Sequence, residues 1–159
     1  MAVAFTREED AESQAANLPD RPVSTHPNLV TPRGMALIEA ELAQARAAYA
    51  EAQERGGIAA DRTAMARATR DLRYWSARRG SAQLVETAES SGKVAFGSTV
   101  TLDREDGRRQ TFRIVGEDEA DPKQGAISYV SPLAAALLGK RVGDVVMVAG
   151  GEVEVVEVA

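Results

Sequence analysis

Residues Ile127 to Val146 read "ISYVSPLAAALLGKRVGDVV", and this stretch decides the fold of the C-terminal half of the chain. Serine is a favoured helix N-cap, proline is favoured at the first helical position, and glycine is favoured just past a helix end. Ser131, Pro132 and Gly139 stand in that order around a run of alanines and leucines. The stretch therefore predicts a strand, one short helix over Leu133–Leu138 and a second strand.

The sequence around this stretch alternates between apolar and polar residues, which is typical of β-strands with one buried face. Short strands are predicted at "STVTL", "QTFRIVG", "AISYV", "DVVMVAG" and "EVEVVEVA". Asp106-Gly107 is a strong hairpin signal between the first two of them. Residues 93–159 are therefore predicted to form a small, mostly antiparallel β domain, with Leu133, Leu137 and Leu138 packed on the sheet.

The preceding segment, residues 31–86, has helical rather than alternating periodicity. Thr31 is a suitable N-cap and Pro32 a suitable first helical residue. Apolar residues then recur at intervals of three and four on both sides of Gly56-Gly57, which is the pattern of a coiled-coil seam. The seam residues are Met35, Ile38, Leu42, Ala45, Tyr49 and Ala52, facing Met65, Ala68, Leu72, Trp75, Arg79 and Ala82. An antiparallel helical hairpin is predicted, and the fold class is α+β.

Composition excludes several classes of site. The chain has no cysteine and one histidine, so disulfides, thiolate zinc sites and Cys-His catalysis are excluded. No apolar run approaches the ~20 residues that span a bilayer, and the first residues lack the apolar core of a signal peptide, so we expect a cytoplasmic protein without membrane contact. Residues 1–30 are acidic, with 2 Lys/Arg against 5 Asp/Glu, and are expected to form an extended or disordered leader.

The second predicted helix is rich in arginine, whereas the first is rich in glutamate. One interpretation is charge pairing between the arms, with Arg79 reaching Glu39 or Glu41, and a solvated face. The other is a basic stripe that contacts RNA or an acidic groove of a partner protein. The candidate stripe consists of Arg62, Arg67, Arg70 and Arg73.

A helical hairpin followed by "GSTVTL" and "FRIVGEDEADPKQGAISYVSPLAAALLGKRVGDVV" resembles the GreA/GreB family of bacterial transcript-cleavage and elongation factors. The resemblance covers roughly residues 29–159. It implies an FKBP-like C-terminal domain that docks at the rim of the secondary channel of RNA polymerase, and a coiled coil that points down the channel. The implied polymerase-binding residues are Tyr129, Val130, Ser131, Pro132 and Leu133; the family often has Asn or Asp where this chain has Val130.

The family's chemistry lies at the coiled-coil tip, where "GDLKEN" presents two carboxylates that help to hold a second Mg²⁺. The aligned tip here is "GGIAAD", with Gly57 and Ala60 at the two carboxylate positions and Asp61 at the asparagine position. The tip residues are Arg55, Gly56, Gly57, Ala60 and Asp61. The first arm is also about a dozen residues shorter than the family's, which removes roughly 18 Å of reach at ~1.5 Å per residue.

These features predict a noncatalytic regulator that binds bacterial RNA polymerase, with possible contact to nascent RNA and with no cofactor, metal or small-molecule substrate. An alternative is an active cleavage factor that recruits Mg²⁺ through Asp61 and Glu54. A third hypothesis is a prolyl isomerase, because the implied C-terminal fold is FKBP-like. Residues 93–159 argue against it, since Phe96, Phe112 and Tyr129 are their only aromatic residues and isomerase pockets are rich in aromatic side chains.

Overall fold

The computed structural model describes residues 18–55, 62–86 and 91–159. The chain divides into two units. The first unit contains the described residues of Met1–Thr25 and Ile38–Ser81, and the second contains those of His26–Leu37 and Ala82–Ala159. No helix in the described part of the chain is both long enough and apolar enough to cross a membrane.

Two long helices confirm the predicted helical hairpin. Helix α1 spans Pro32–Glu54 and helix α2 spans Arg62–Ser81. They run antiparallel, because Arg79 near the end of α2 lies 3.2 Å (Nε to Oε1) from Glu39 near the start of α1. The seam buries small and aliphatic side chains together with one tryptophan; these are Ile38, Leu42, Ala45, Ala52, Ala68 and Trp75. The α+β prediction is confirmed.

After Trp75 the buried face of α2 continues through Arg78 rather than through Arg79, the seam residue that the spacing predicted. Arg78 is 1% exposed, whereas the side chain of Arg79, the predicted seam residue, is 45% exposed and pairs with Glu39. Positions three and four residues after Trp75 lie on the same side of a helix, so the spacing alone does not distinguish them. The predicted ion pair between Arg79 and Glu39 is nevertheless present.

The second unit contains a curled five-stranded sheet. Its strands are β3 (Thr99–Arg104), β4 (Arg109–Val115), β5 (Ala126–Ser128), β6 (Val145–Val148) and β7 (Gly151–Val158). Their spatial order is β5-β4-β3-β7-β6, and every neighbouring pair is antiparallel except β4 and β5. The core is aliphatic and is built around the fully buried residues Val100, Leu102, Ile114, Leu137, Val153 and Val155.

The predicted turn and short helix are both present in this unit. Gly107 adopts a φ of 83° between β3 and β4, which glycine does at little cost. Across the same hairpin Arg109 donates to both carboxyl oxygens of Asp103, and this hydrogen bonding holds the pKa of Asp103 below its usual range. Helix α3 spans Pro132–Leu137, with Leu137 buried in the core.

A strand pair that the sequence did not predict joins the start of α1 to the same unit. Strand β1 (Leu29–Val30) pairs in parallel with β2 (Gln83–Leu84). Gly116 packs directly beneath β1, because a Cβ at that position would lie 2.3 Å from the carbonyl oxygen of Leu29. A glycine is therefore required at position 116 by close approach of the backbone.

The start of α1 is held by a buried carboxylate. Thr31 accepts a hydrogen bond from the Gly34 amide at 3.0 Å, which is the predicted N-cap, and its hydroxyl donates to Oε1 of Glu119. Arg113 donates to Oε2 of Glu119 at 2.7 Å. The side chain of Glu119 is 3% exposed, so both of its oxygens are satisfied away from bulk water.

Gly34→Ala is expected to destabilise the protein even though alanine favours helices. Its Cβ would lie 2.8 Å from Glu119 Oε1 and would push that carboxylate away from its two donors. We expect a loss of about 1–3 kcal/mol in the free energy of unfolding, because a buried charged group loses hydrogen bonds. Urea unfolding followed by circular dichroism measures this change.

Gly80→Ala in α2 is the matched control, since nothing lies within 4 Å of a Cβ placed there. It should gain up to about 1 kcal/mol from helix propensity alone. Equal stabilisation by both substitutions would show that the Glu119 cluster does not constrain the start of α1.

Candidate functional site

The loop between β5 and α3 carries the predicted polymerase-binding residues. Ser131 caps α3, because its Oγ accepts from the Ala134 amide at 3.3 Å, and its own amide donates to the Ser128 carbonyl at 2.9 Å. The amide of Val130 donates to Ser128 Oγ at 3.3 Å. These bonds fix the loop backbone and leave Pro132 exposed at the surface.

Tyr129 is directed differently from its neighbours in the loop. Its hydroxyl donates to the carbonyl oxygen of Pro27, and its ring packs edge-on against Phe96 with centroids 5.6 Å apart. The side chain is half-buried. Tyr129 therefore holds the loop against the second unit. Val130 and Leu133 are half-buried as well, and Pro132 is the exposed member of the predicted set.

A groove of about 560 Å³ lies beside this loop. One wall is formed by Ser131, Pro132 and Leu133, and the opposite wall is formed by β6 and the residue after it. The lining residues are Arg104, Ile127, Ser131, Pro132, Leu133, Met147, Val148 and Ala149. None of them is aromatic, so the groove lacks the side chains that make up a prolyl-isomerase pocket.

Strand β6 adds residues that the sequence analysis did not single out. It is an edge strand of the sheet, and it exposes Val145 and Met147 with fractional exposures of 55% and 69%. Solvent-facing positions of a strand are ordinarily polar, and an apolar exposed face of this kind is typical of a binding surface. The signal was present in "DVVMV", where apolar residues continue through the positions that alternation would make polar.

Arg104 gives the apolar groove a charged margin. Its Nε donates to Oε1 of Gln110 at 2.7 Å, which holds the guanidinium in place at the end of β3. The groove therefore presents aliphatic surface beside a fixed positive charge. This combination suits a protein segment that carries apolar side chains and an acidic residue.

The candidate basic stripe on α2 is partly neutralised by nearby acids. Arg70 Nε lies 3.3 Å from Asp71 Oδ1, and Arg73 Nη1 lies 3.2 Å from Oδ1 of Asp20 in the leader. Arg62 and Arg67 are exposed. The arms are joined by the Arg79–Glu39 pair, but Arg70 and Arg73 pair within α2 and with the leader rather than with the glutamates of α1.

Of the predicted tip residues, only Arg55 is among those that the structure describes. It is exposed, and its Nη2 lies 2.7 Å from Oε1 of Glu51, one helical turn earlier. Gly56, Gly57, Ala60 and Asp61 lie outside the described residues. Within residues 18–55, 62–86 and 91–159 no group of three or more acidic or histidine side chains is arranged to hold a metal ion.

Comparisons with known proteins identify the family. The family model described as "Transcription elongation factor, GreA/GreB, C-term" matches residues 89–159. Transcription elongation factor GreA of Thioalkalivibrio sulfidiphilus is 43% identical over 113 residues, which cover 64% of this chain and 70% of that protein. GreA of Desulfovibrio desulfuricans is 37% identical over 136 residues, covering 75% of this chain and 83% of that protein.

Among solved structures, the GreA factor homolog 1 protein of Thermus thermophilus is 28% identical, with a TM-score of 0.39, covering 84% of this chain and 99% of that one. The family assignment rests on the sequence relatives, which match across both the helical segment and the β domain. The chain belongs to the GreA/GreB family of transcription elongation factors.

Proposed function

We propose that this chain binds bacterial RNA polymerase at the rim of the secondary channel and regulates elongation or initiation without stimulating transcript cleavage. The observation that carries the proposal is the groove between α3 and β6, which combines a rigid Ser131-Pro132 loop with exposed Met147. In the family that the chain belongs to, the matching loop is the expected contact with polymerase. The groove supplies a surface of suitable chemistry beside it.

The groove is suited to a protein segment rather than to a small substrate. Its walls are open and aliphatic, and an exposed thioether adapts readily to a partner surface. Arg104 at the margin favours an acidic residue on that partner and disfavours a basic one. Docking would therefore combine apolar burial with one charge-complementary contact.

The tip supports a regulator that does not assist cleavage. Mg²⁺ prefers hard oxygen ligands, and a second metal activates water for phosphodiester hydrolysis only when such ligands hold it in place. Gly57 and Ala60 supply no side-chain oxygen at the two carboxylate positions. Helix α1 has 23 residues, which gives an arm about 34 Å long at ~1.5 Å per residue.

The candidate basic stripe of Arg62, Arg67, Arg70 and Arg73, called the arginine face of α2 from here on, is proposed to contact nascent RNA. Arg62 and Arg67 are exposed on the same helix as Arg70 and Arg73. Guanidinium groups bind phosphate with good geometry, and a row of them follows a nucleic-acid backbone. The whole chain is acidic, with a net charge of −5, so the contact would be local rather than a general affinity for nucleic acid.

Substitutions in the groove should weaken binding to RNA polymerase. Met147→Lys is expected to raise the dissociation constant by roughly 10-fold or more, because it places a charge in the apolar centre of the interface. Fluorescence anisotropy of the labelled chain titrated with core polymerase measures this. Pro132→Ala, which removes an exposed ring without touching the core, should have a smaller effect in the same direction.

Two controls separate docking from folding in this experiment. Leu84→Lys makes the same kind of change at an apolar residue of β2 that is 49% exposed and does not line the groove, so it should leave binding unchanged. Ser131→Asp retains a good N-cap while altering the loop surface, so it should weaken binding without loss of stability. Wild-type affinity for folded Met147→Lys and Ser131→Asp variants would rule out this docking surface.

A backtracked elongation complex tests the absence of cleavage. The wild-type chain should leave the RNA at the length seen with polymerase alone, whereas a GreA with both tip carboxylates should shorten it. The double variant Gly57→Asp/Ala60→Glu should, like the wild-type chain, leave the RNA uncut, because the short arm keeps the restored carboxylates away from the metal.

RNA shortening by the wild-type chain that is lost in Asp61→Ala would instead support the alternative, an active cleavage factor. Cleavage by the double variant alone would show that the arm is long enough and that only the carboxylates are missing.

A further inference from the structure

Two leader residues lie against the arginine face of α2. Asp20 Oδ1 is 3.2 Å from Arg73 Nη1. Next to it, the guanidinium carbon of Arg21 lies 3.9 Å from the centre of the Tyr74 ring. The leader therefore places a carboxylate on an arginine and a flat cation on an aromatic ring at adjacent positions.

Two further contacts hold the Arg21 side chain against α2. Its Nη1 lies 3.5 Å from Asp71 Oδ1, and its guanidinium carbon lies 5.3 Å from the centre of the Trp75 ring. The rings of Tyr74 and Trp75 are themselves edge-on, with centroids 4.9 Å apart. Arg21 thus combines an ion pair with stacking on Tyr74, the partly exposed member of the pair.

This arrangement has the chemistry of a bound nucleotide. Single-stranded RNA presents a phosphate, which binds arginine, and a flat base, which stacks on an aromatic ring. Asp20 lies where such a phosphate would bind Arg73, and Arg21 lies where such a base would stack on Tyr74. Net charge favours the contact, since residues 1–30 carry 2 Lys/Arg against 5 Asp/Glu while α2 carries six arginines against one aspartate.

We propose that the leader is an autoinhibitory strap, in which Asp20 and Arg21 occupy the face of α2 that binds RNA and must be displaced before RNA binds there. The inference rests on the RNA contact in the proposed function and adds its regulation. The strap is displaceable because its Asp20–Arg73 ion pair is exposed: the side chains of Arg73 and Asp20 are 67% and 63% exposed. Arg62 and Arg67, also exposed on α2, are available for the first encounter.

Arg21→Ala tests the strap because two explanations predict opposite changes in the affinity for RNA. Removal of a positive charge weakens binding to RNA if only general electrostatics matter. Release of the strap tightens it, by roughly 3- to 10-fold given the usual strength of one cation–π contact and one exposed ion pair. Anisotropy of a short fluorescein-labelled oligouridylate at low salt measures the dissociation constant, and circular dichroism confirms that the variant is folded.

A charge-matched pair provides the control. Asp20→Asn and Asp106→Asn each remove one negative charge, but Asp106 lies in the β3–β4 turn of the second unit. Asp20→Asn should tighten RNA binding more than Asp106→Asn does. Trp75, the single tryptophan of the chain, reports on the strap directly, and RNA should shift its emission in the wild-type chain towards that of Arg21→Ala.

The outcomes distinguish the strap from the RNA contact. The strap would be overturned if Arg21→Ala binds RNA no more tightly than the wild-type chain does. The RNA contact would still stand if Arg67→Gln binds RNA more weakly than the wild-type chain. Absence of RNA binding by every variant would overturn the RNA contact and, with it, the regulation. Tighter binding by Arg21→Ala, with the emission shift in the wild-type chain, is the result that the strap predicts.

Discussion

The buried carboxylate of Glu119 is the constraint on which the second unit depends. It accepts from Thr31, just before the first turn of α1, and from Arg113 on β4, so one side chain joins the start of α1 to the sheet within the second unit. Breaking such a cluster leaves a buried charge without its donors, which costs about 1–3 kcal/mol. Gly34 and Gly116 fit the same junction, because neither position has room for a Cβ. Gly116 and Glu119 of the segment "VGEDEADP" are thus explained by packing before any contact with a partner is considered.

Local sequence signals made many elements of this fold predictable. Contacts between residues that are distant in the sequence could not be predicted. Ser131 and Pro132 start α3, and Asp106-Gly107 turns the hairpin, because each acts within a few residues of itself. Thr31 was predictable as a cap, but its bond to a residue 88 positions away was not. The loop Tyr129–Leu133 was proposed as a polymerase contact from the family pattern alone. Met147 was not singled out, because "DVVMV" is apolar throughout and alternation does not show which of its residues face solvent.

These constraints support different proposed roles for the β domain and the helical arm. A rigid loop and an apolar edge strand lie on the same unit, where α3 and β6 line one groove. The helical arm is short and has Gly57 and Ala60 where the family's catalytic carboxylates are expected. Its arginine face is occupied by the leader through Asp20 and Arg21. Such a factor would keep the polymerase-binding domain of the family. Its tip would occupy the channel without supplying catalytic carboxylates, and its leader would control access to the arginine face of α2.

A cryo-electron microscopy structure of the chain bound to a transcribing RNA polymerase would show whether the chain docks at the secondary channel with its tip short of the active-site metal. The decisive quantity is the distance from the tip residue Gly57 to the active-site Mg²⁺. We expect the Ser131–Leu133 loop and Met147 to contact the rim of the secondary channel. We expect the tip to end roughly 18 Å short of the metal, because the first arm lacks about a dozen residues at ~1.5 Å each. A side-chain oxygen of Asp61 or Glu54 at a coordinating distance of about 2.1 Å from Mg²⁺, or docking away from the channel, would contradict it.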